Sequence, residues 1–343
     1  MVHGRARGRL HRHAGTFPKS LRRLRRPGRA RAAAARPIPA ARTQDFPNRP
    51  IKLIVPFAAG GAADLFARSL ANGLGAELGQ QVVVETRAGA GGLTGVDVTA
   101  KSAPDGYTIC LAGAAALSAI PLMTSKMPFD WQKDLALITL VVRVPEVLIV
   151  HPLLGVNTLG DFLAYARARP GKINFGSAGA GSITHLAVEL LKSAAGLDLV
   201  HVPYRGIGPA VADMLGGHIQ VIVADVPFLL PHIRSGAFSA LAVTSAARAP
   251  ALPDVPSTAE LGYAAVNSDN WYGLVAPAHT PANVLDALRT ASLAVLTSAE
   301  LKKQFDSQNA LPSPSSPDEF AAFVRAEQVK WGPVVRATGV KLE

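Results

Sequence analysis

Apolar positions along this chain come in two periods that alternate. Residues 50–57, "PIKLIVPF", form a short, nearly all-apolar run bounded by prolines, the pattern of a strand buried on both faces. "ADLFARSLANGLGAEL" follows, with Leu65, Phe66, Leu70 and Leu74 at helical spacing. A β-branched strand, "QVVVETR" (81–87), then leads through a glycine-rich turn into a short helix that ends before Pro104. An Asp-Gly turn introduces a third strand, "DGYTICLAG" (105–113). Strand and helix in alternation predict a parallel sheet with helical crossovers.

A long apolar stretch, "LALITLVVRVPEVLIVHP" (135–152), is interrupted by Pro145 and reads as two strands, or as one strand passing between domains. A second alternation begins behind it. Thr158 caps a helix with Phe162 and Tyr165 on its apolar side. "INFGSAGAGSITHLAVELLKSAAG" repeats the opening theme of strand, small-residue loop and helix. "LVHVPYRG", "HIQVIVADVP" and "FSALAVTS" are further strands, linked by helical segments in "PAVADMLGG" and "PHIRSG". "NWYGLVAP" (270–277) returns to an apolar strand. Thr280 and Pro281 predict an N-cap followed by Pro at the first helical position, with Val284, Leu288, Ala291 and Val295 on the buried face. "TSAE" (297–300) and "SPDE" (316–319) both carry capping-box spacing, and two or three helices close the chain.

Charge changes the picture only after it is divided. The formal net charge is +11, but residues 1–43 hold 13 Lys and Arg and no acid, which leaves 22 basic against 24 acidic residues in the rest. The basic character therefore belongs to the N-terminal segment, and the body carries no nucleic-acid footprint. That segment is rich in Arg, Ala and Pro, without apolar periodicity, and is expected to be disordered. It lacks the ~7–15-residue apolar core of a secretory signal. A misassigned start or a damaged frame before "QDFPNRP" is the preferred reading, and residues 1–43 are set aside from the fold. No apolar run reaches the ~18 residues of a membrane span. The single cysteine, Cys110, excludes an internal disulfide and sits in an apolar run as a buried, inert thiol.

The candidate chemistry gathers at two loops. "PFAAGGAAD" is neither a dinucleotide fingerprint nor a P-loop, since G-x-G-x-x-G and a following Lys are both missing. Gly60, Gly61 and the N–H groups of Ala62 and Ala63 at a helix start suit one carboxylate, and Asp64 reads as a partner of the helix dipole. The second loop, "NFGSAGAGSITH", offers the Ser177 and Ser182 hydroxyls, small residues such as Ala178 between them, and His185 one turn into the helix. Gly176 directly precedes Ser177, so the G-x-S-x-G nucleophile elbow fails. Ser182 with His185 is the rival, hydrolase reading, for a small carboxylated ester or amide. Phe57, Tyr204 and Trp271 are candidates for either cleft lining or core packing. No histidine spacing suits a metal, and no cofactor is implied.

Taken in order, "VPF", "GG", "PDGYT", "GSAGAGS" with His185, and "HVPYRG" resemble the Bug family, the extracytoplasmic solute-binding proteins of tripartite tricarboxylate transporters. The resemblance runs over about residues 45–343. It implies a type II periplasmic-binding-protein fold, α/β, with sheets flanked by helices and a ligand cleft between two lobes. Domain one would be 45–145 plus 271–343, and domain two 146–270. It implies a monomeric periplasmic receptor, not an enzyme, that holds a small carboxylate and works with the membrane subunits of a transporter. Phe57, Ala59, Gly60, Gly61 and Ala63 would contact the ligand from one side and Ser177, Gly181, Ser182 and His185 from the other. Asp225 would face the ligand's variable end. The family usually carries Thr where this chain has Ala63, which removes one hydroxyl donor.

Overall fold

A computed structural model describes residues 46–308 and 310–342. The basic segment 1–43 and its expected disorder lie outside the described residues. The first strands are β1 (Ile51–Val55), β2 (Val82–Thr86), β3 (Thr108–Gly113), β4 (Leu135–Val150) and β5 (Asn174–Ser177). They are followed by β6 (Val200–Pro203), β7 (Val221–Asp225), β8 (Ser239–Val243), β9 (Asp269–Pro277) and β10 (Leu311–Pro312). One hydrogen-bonded sheet takes in all ten, in the order β2-β1-β3-β9-β4-β7-β5-β6, with β8 and β10 attached to β4.

The parallel pairing predicted from the alternation holds at both ends of the sheet. β1 runs parallel to β2 and β3, and β5 runs parallel to β6 and β7. The centre departs from it. β9 runs antiparallel to both β3 and β4, and β4 runs antiparallel to β7, so the sheet is mixed. Of the two readings of the 135–152 stretch, the continuous one is observed: β4 is a single strand of 16 residues. Its first part pairs with β9 as far as Pro145, opposite Asp269. Its second part pairs with β7 from Glu146, opposite Asp225. Proline cannot donate to a ladder, and Pro145 falls at the residue where β4 changes partner.

Helices cover the sheet. They are α1 (Ala62–Leu78), α2 (Leu93–Ala100), α3 (Ala114–Leu117), α4 (Trp131–Asp134), α5 (Leu159–Arg167) and α6 (Ile183–Ala195). The remainder are α7 (Ile207–Leu215), α8 (Val226–Arg234), α9 (Ala282–Thr297), α10 (Ala299–Gln308) and α11 (Pro317–Thr338). On α1 the periodic residues Phe66, Leu70 and Leu74 are fully buried, in a cluster with Leu288 and Val295 of α9. Leu65, expected on the same face, is half-buried. Burying a side chain of this kind contributes about 1.5–3 kcal/mol, so this stripe fixes where α1 starts and what it points at.

Two caps differ from the sequence reading. Pro281, not Thr280, occupies the N-cap of α9, because the Thr280 hydroxyl turns back to donate to the Pro277 carbonyl, 2.8 Å away. Thr297 belongs to the end of α9, and Ser298 caps α10 instead, accepting from the Leu301 N–H. The capping box at Ser316 and Glu319 forms as expected. Cys110 is fully buried in β3, and burial pushes its thiol up to about 12, which leaves it unreactive at neutral pH.

Candidate functional site

Two helices begin at the same cavity. After β1 the chain turns through Pro56–Gly61, with Gly60 at φ +79°, a conformation that favours glycine, and enters α1. Gly61 occupies the N-cap and has no side chain to offer, so the first-turn N–H groups of α1 have no capping side chain. After β5 the chain passes through Ala178–Gly181 and enters α6 behind Ser182. Gly61, Ala62 and Ala63 from the first passage and Ala178, Ser182, Ile183 and Thr184 from the second line one narrow cavity of about 30 Å³. Phe57 and Ala58, the Gly113–Ala115 passage into α3, and Ile207 of α7 complete its sides. None of the lining residues is Lys or Arg.

The first loop is held in place by its neighbours. The Ala58 N–H donates to the Arg205 carbonyl at 2.9 Å. A Cβ on Gly208 would stand 2.9 Å from the Gly60 carbonyl oxygen, so only a glycine lets α7 approach this closely. Asp64 is 6% exposed, and it faces away from the cavity wall into a surface recess beside Arg68. Its Oδ2 accepts from the Gly60 N–H and from Arg68 Nε, both at 3.0 Å. The Gly60 donor expected for a ligand is therefore used by the protein itself. Ala59 and Gly60 are both exposed.

The second loop is laced by side chains. Ser182 Oγ donates to the Gly179 carbonyl at 2.7 Å and accepts from the His185 main-chain N–H at 3.3 Å. Thr184 Oγ1 accepts from the Ala178 N–H at 2.8 Å. His185 Nδ1 accepts from the Gly181 N–H at 3.1 Å. Ser182 is thus bound to the backbone of His185 and not to its ring, which removes the geometry a Ser–His nucleophile needs. A different pair is close: Ser177 Oγ and His201 Nε2 stand 2.6 Å apart. Ser177 is fully buried and off the cavity wall, so it presents no nucleophile to a substrate. His201 stacks on His185 at 3.8 Å between ring centroids, and burial with the neighbouring His185 pushes it down to about 3.

Another part of the wall is polar. Asp225, 2% exposed at the end of β7, meets Asn270 and Tyr272 of β9. Asn270 Nδ2 donates to Asp225 Oδ1 at 3.0 Å, and the Tyr272 hydroxyl donates to Oδ2 at 2.7 Å. Burial raises Asp225 to about 6. Behind it Glu146 is fully buried and raised well above the carboxylate range, first by burial and then by Asp225. Glu146 Oε2 accepts from the Ser268 hydroxyl, and Oε1 has no partner.

Of the residues singled out from sequence, Phe57, Gly61, Ala63, Ala178, Ser182 and Asp225 stand on the cavity wall. Ala59, Gly60, Asp64, Ser177, Gly181, His185 and Tyr204 do not. Tyr204 donates to Asp213 Oδ2 at 2.6 Å, and Trp271 is buried with its indole N–H on Glu327. Thr184, Asn270, Tyr272 and the Gly113–Ala115 turn were not read from sequence. Among the described residues no cluster of His, Cys, Asp and Glu is arranged to hold a metal.

Residues 66–340 match the family described as tripartite tricarboxylate transporter family receptor. The chain is 40% identical to Protein BugT of Bordetella pertussis over 315 residues, 92% of this chain and 96% of that one. Among solved structures it is similar to the periplasmic binding protein BugD, at 33% identity and a TM-score of 0.83, over 87% of this chain and 100% of BugD. It is also similar to Rpa4515 of R. palustris with adipate, at 32% identity, TM-score 0.83, 87% and 99% coverage. MatC of Rhodopseudomonas palustris with bound malate matches at 28% identity, TM-score 0.81, 84% and 100% coverage. The chain has the α/β periplasmic-binding-protein fold and belongs to the tripartite tricarboxylate transporter receptor family, the Bug and TctC proteins, which are solute-binding receptors and not enzymes.

Proposed function

We propose that this receptor captures a small carboxylate in the cavity between the starts of α1 and α6 and presents it to the membrane subunits of a tripartite tricarboxylate transporter. The observation that carries the reading is that two helix N-termini line one cavity with no basic side chain among its walls. A helix start contributes about 0.3–1 kcal/mol to a nearby anion when exposed and up to about 2 when partly buried. Two of them, with the water excluded, hold a carboxylate without an arginine clamp. The adipate and malate of the related structures are both dicarboxylates and fit this class.

The lobes are 45–145 with 271–343, and 146–270, and the cleft closes between them. The change of partner along β4 at Pro145 and Glu146, and the start of β9 at Asp269, support that division. Closure over the ligand is the signal read by the membrane subunits. The receptor works as a monomer in the periplasm; among the described residues no helix is long and apolar enough to cross a membrane.

A thermal-shift screen against carboxylates, sugars and amines tests this. A true ligand at about 100 times its Kd adds about 2.7 kcal/mol, which raises Tm by several degrees. A flat response to every acid, with a response to a sugar or an amine lacking a carboxylate, overturns it.

A further inference from the structure

Two parts of the cavity wall differ in what they leave for a ligand. At the helix starts the N–H groups of Ala62 and Ala63 are donors without a capping side chain. Around Asp225 the side-chain donors of Asn270 and Tyr272 are already spent. Asn270 has two amide hydrogens, and its Nδ2 lies 3.0 Å from Asp225 Oδ1 and 3.1 Å from the Tyr272 oxygen. The hydroxyl hydrogen of Tyr272 goes to Asp225 Oδ2. Asn270 Oδ1 is itself taken by the Trp271 N–H at 2.9 Å. What the wall has left is the remaining lone pairs of a carboxylate that both neighbours hydrogen-bond in its ionised form.

The strand register adds a second, independent observation. Glu146 stands directly opposite Asp225 in the antiparallel pair of β4 and β7. Acidic residues in such positions repel when both are charged. Glu146 Oε1 is buried without a partner, and no Lys or Arg lines the cavity. The wall thus carries negative charge that no basic side chain of the cavity offsets. A second carboxylate brought here meets acceptors and a like charge. An ammonium meets acceptors and an opposite charge.

We propose that the preferred ligand is a small carboxylate whose other end carries a hydrogen-bond donor, an ammonium foremost, seated against Asp225, and that Asp225 is the residue that selects it over dicarboxylates. This rests on the carboxylate-receptor reading above and narrows it to ω-amino acids and related zwitterions. Asp225 is its specificity determinant. Asn270 and Tyr272 are positioning residues, which hold the carboxylate by its two oxygens. Glu146, pushed toward its neutral form behind it by burial and by Asp225, leaves Asp225 as the negative charge that the ammonium meets.

The experiment is calorimetric titration of the purified receptor with chain-matched acids: β-alanine against malonate, 4-aminobutyrate against succinate, 5-aminovalerate against glutarate, 6-aminohexanoate against adipate. Butyrate and valerate serve as acids with no donor. The expected result is that at least one amino acid binds about 30-fold or more tightly than its dicarboxylate partner and than the plain acid, the lower end of what one member of a buried charge pair is worth. In Asp225→Asn, which keeps the shape and adds a donor, that preference is expected to collapse or reverse. Dicarboxylates binding the native receptor as well as or better than the amino acids would overturn the proposal and leave the carboxylate-receptor reading standing. Equal binding of the plain acids would do the same. Silence from every acid in the panel, beside binding of a neutral solute, would remove both. The native panel decides the matter even where Asp225→Asn fails to fold.

Discussion

The passages out of β1 and β5 have the same architecture and opposite finish. The first enters α1 through Gly60 and Gly61 with no side-chain cap, and Ala62 and Ala63 follow. The second enters α6 with Ser182, Thr184 and His185 each tied to the loop by a hydrogen bond. A helix start can be left without a side-chain cap or have one of its N–H groups taken by one; α1 is the first case, and at α6 the Ser182 hydroxyl takes the His185 N–H. The bare start is held by Asp64 of its own helix, which accepts from the Gly60 N–H, and from outside by Arg205 and Gly208. The laced start keeps its own shape and supplies a fixed wall.

The largest effect expected from this contrast is with pH, and it belongs to the laced side. His201 is pushed down to about 3 from the ordinary 6.5 of an imidazole, so the unfolded chain takes up its proton first as pH falls. The stability it contributes is fully present above about 6.5 and is lost progressively between there and about 3. The groups around it are His185, Glu189 and Lys192, with Phe175 stacked on the ring and Ser177 at Nε2. Urea unfolding across that range should show a loss on acidification that His201→Gln reduces. Asp225 acts in the opposite sense: raised to about 6, it favours the folded state below about 3.8 and loses that contribution as pH rises to about 6. His201→Gln and Asp225→Asn should therefore move the pH curve in opposite directions, and a shift in the same direction would contradict the assignment.

Next in size is a break on the bare side. Gly208→Val forces a side chain against the Gly60 carbonyl and pushes the first loop from its place. Overpacking of this kind costs about 1–3 kcal/mol, and it should appear as roughly tenfold or greater loss of ligand affinity by calorimetry. A smaller effect follows from Ser182→Ala, which removes the cap of α6. Loss of about 1 kcal/mol should lower Tm by about 2–4 °C, read by calorimetry on the empty receptor. Smallest is a gain: Ala63→Ser adds a hydroxyl to the bare start and should tighten carboxylate binding several-fold, since one hydrogen bond is worth about 0.5–1.5 kcal/mol. No gain, with the fold intact, would show that the ligand does not reach Ala63.

The alternation of apolar periods made the strands and most helices legible, because core-facing residues recur at intervals set by the backbone alone. It did not show the antiparallel centre, since the direction of β9 depends on a return of the chain from the far half of the sheet. The two loops were legible as helix starts after strands. Which of their residues face the cavity was not, because Asp64 Oδ2 and His185 Nδ1 are taken by the Gly60 and Gly181 N–H groups, which spacing cannot reveal. The polar part of the wall was missed by one residue. Trp271 drew attention in "NWYGLVAP", but successive strand residues point to opposite faces, so Trp271 goes into the core under α11 while Asn270 and Tyr272 turn to the cavity. The large aromatic was the signal, and its neighbours were the site.

That alternation has a practical consequence. Trp271 sits between the two residues that hold Asp225, and its indole shares Glu327 Oε2 with the indole of Trp331, at 3.1 and 3.2 Å. A guest that shifts β9 is expected to alter the polar contact of both rings together. Tryptophan emission followed during a ligand titration is therefore expected to change with occupancy, through the one carboxylate that both indoles share.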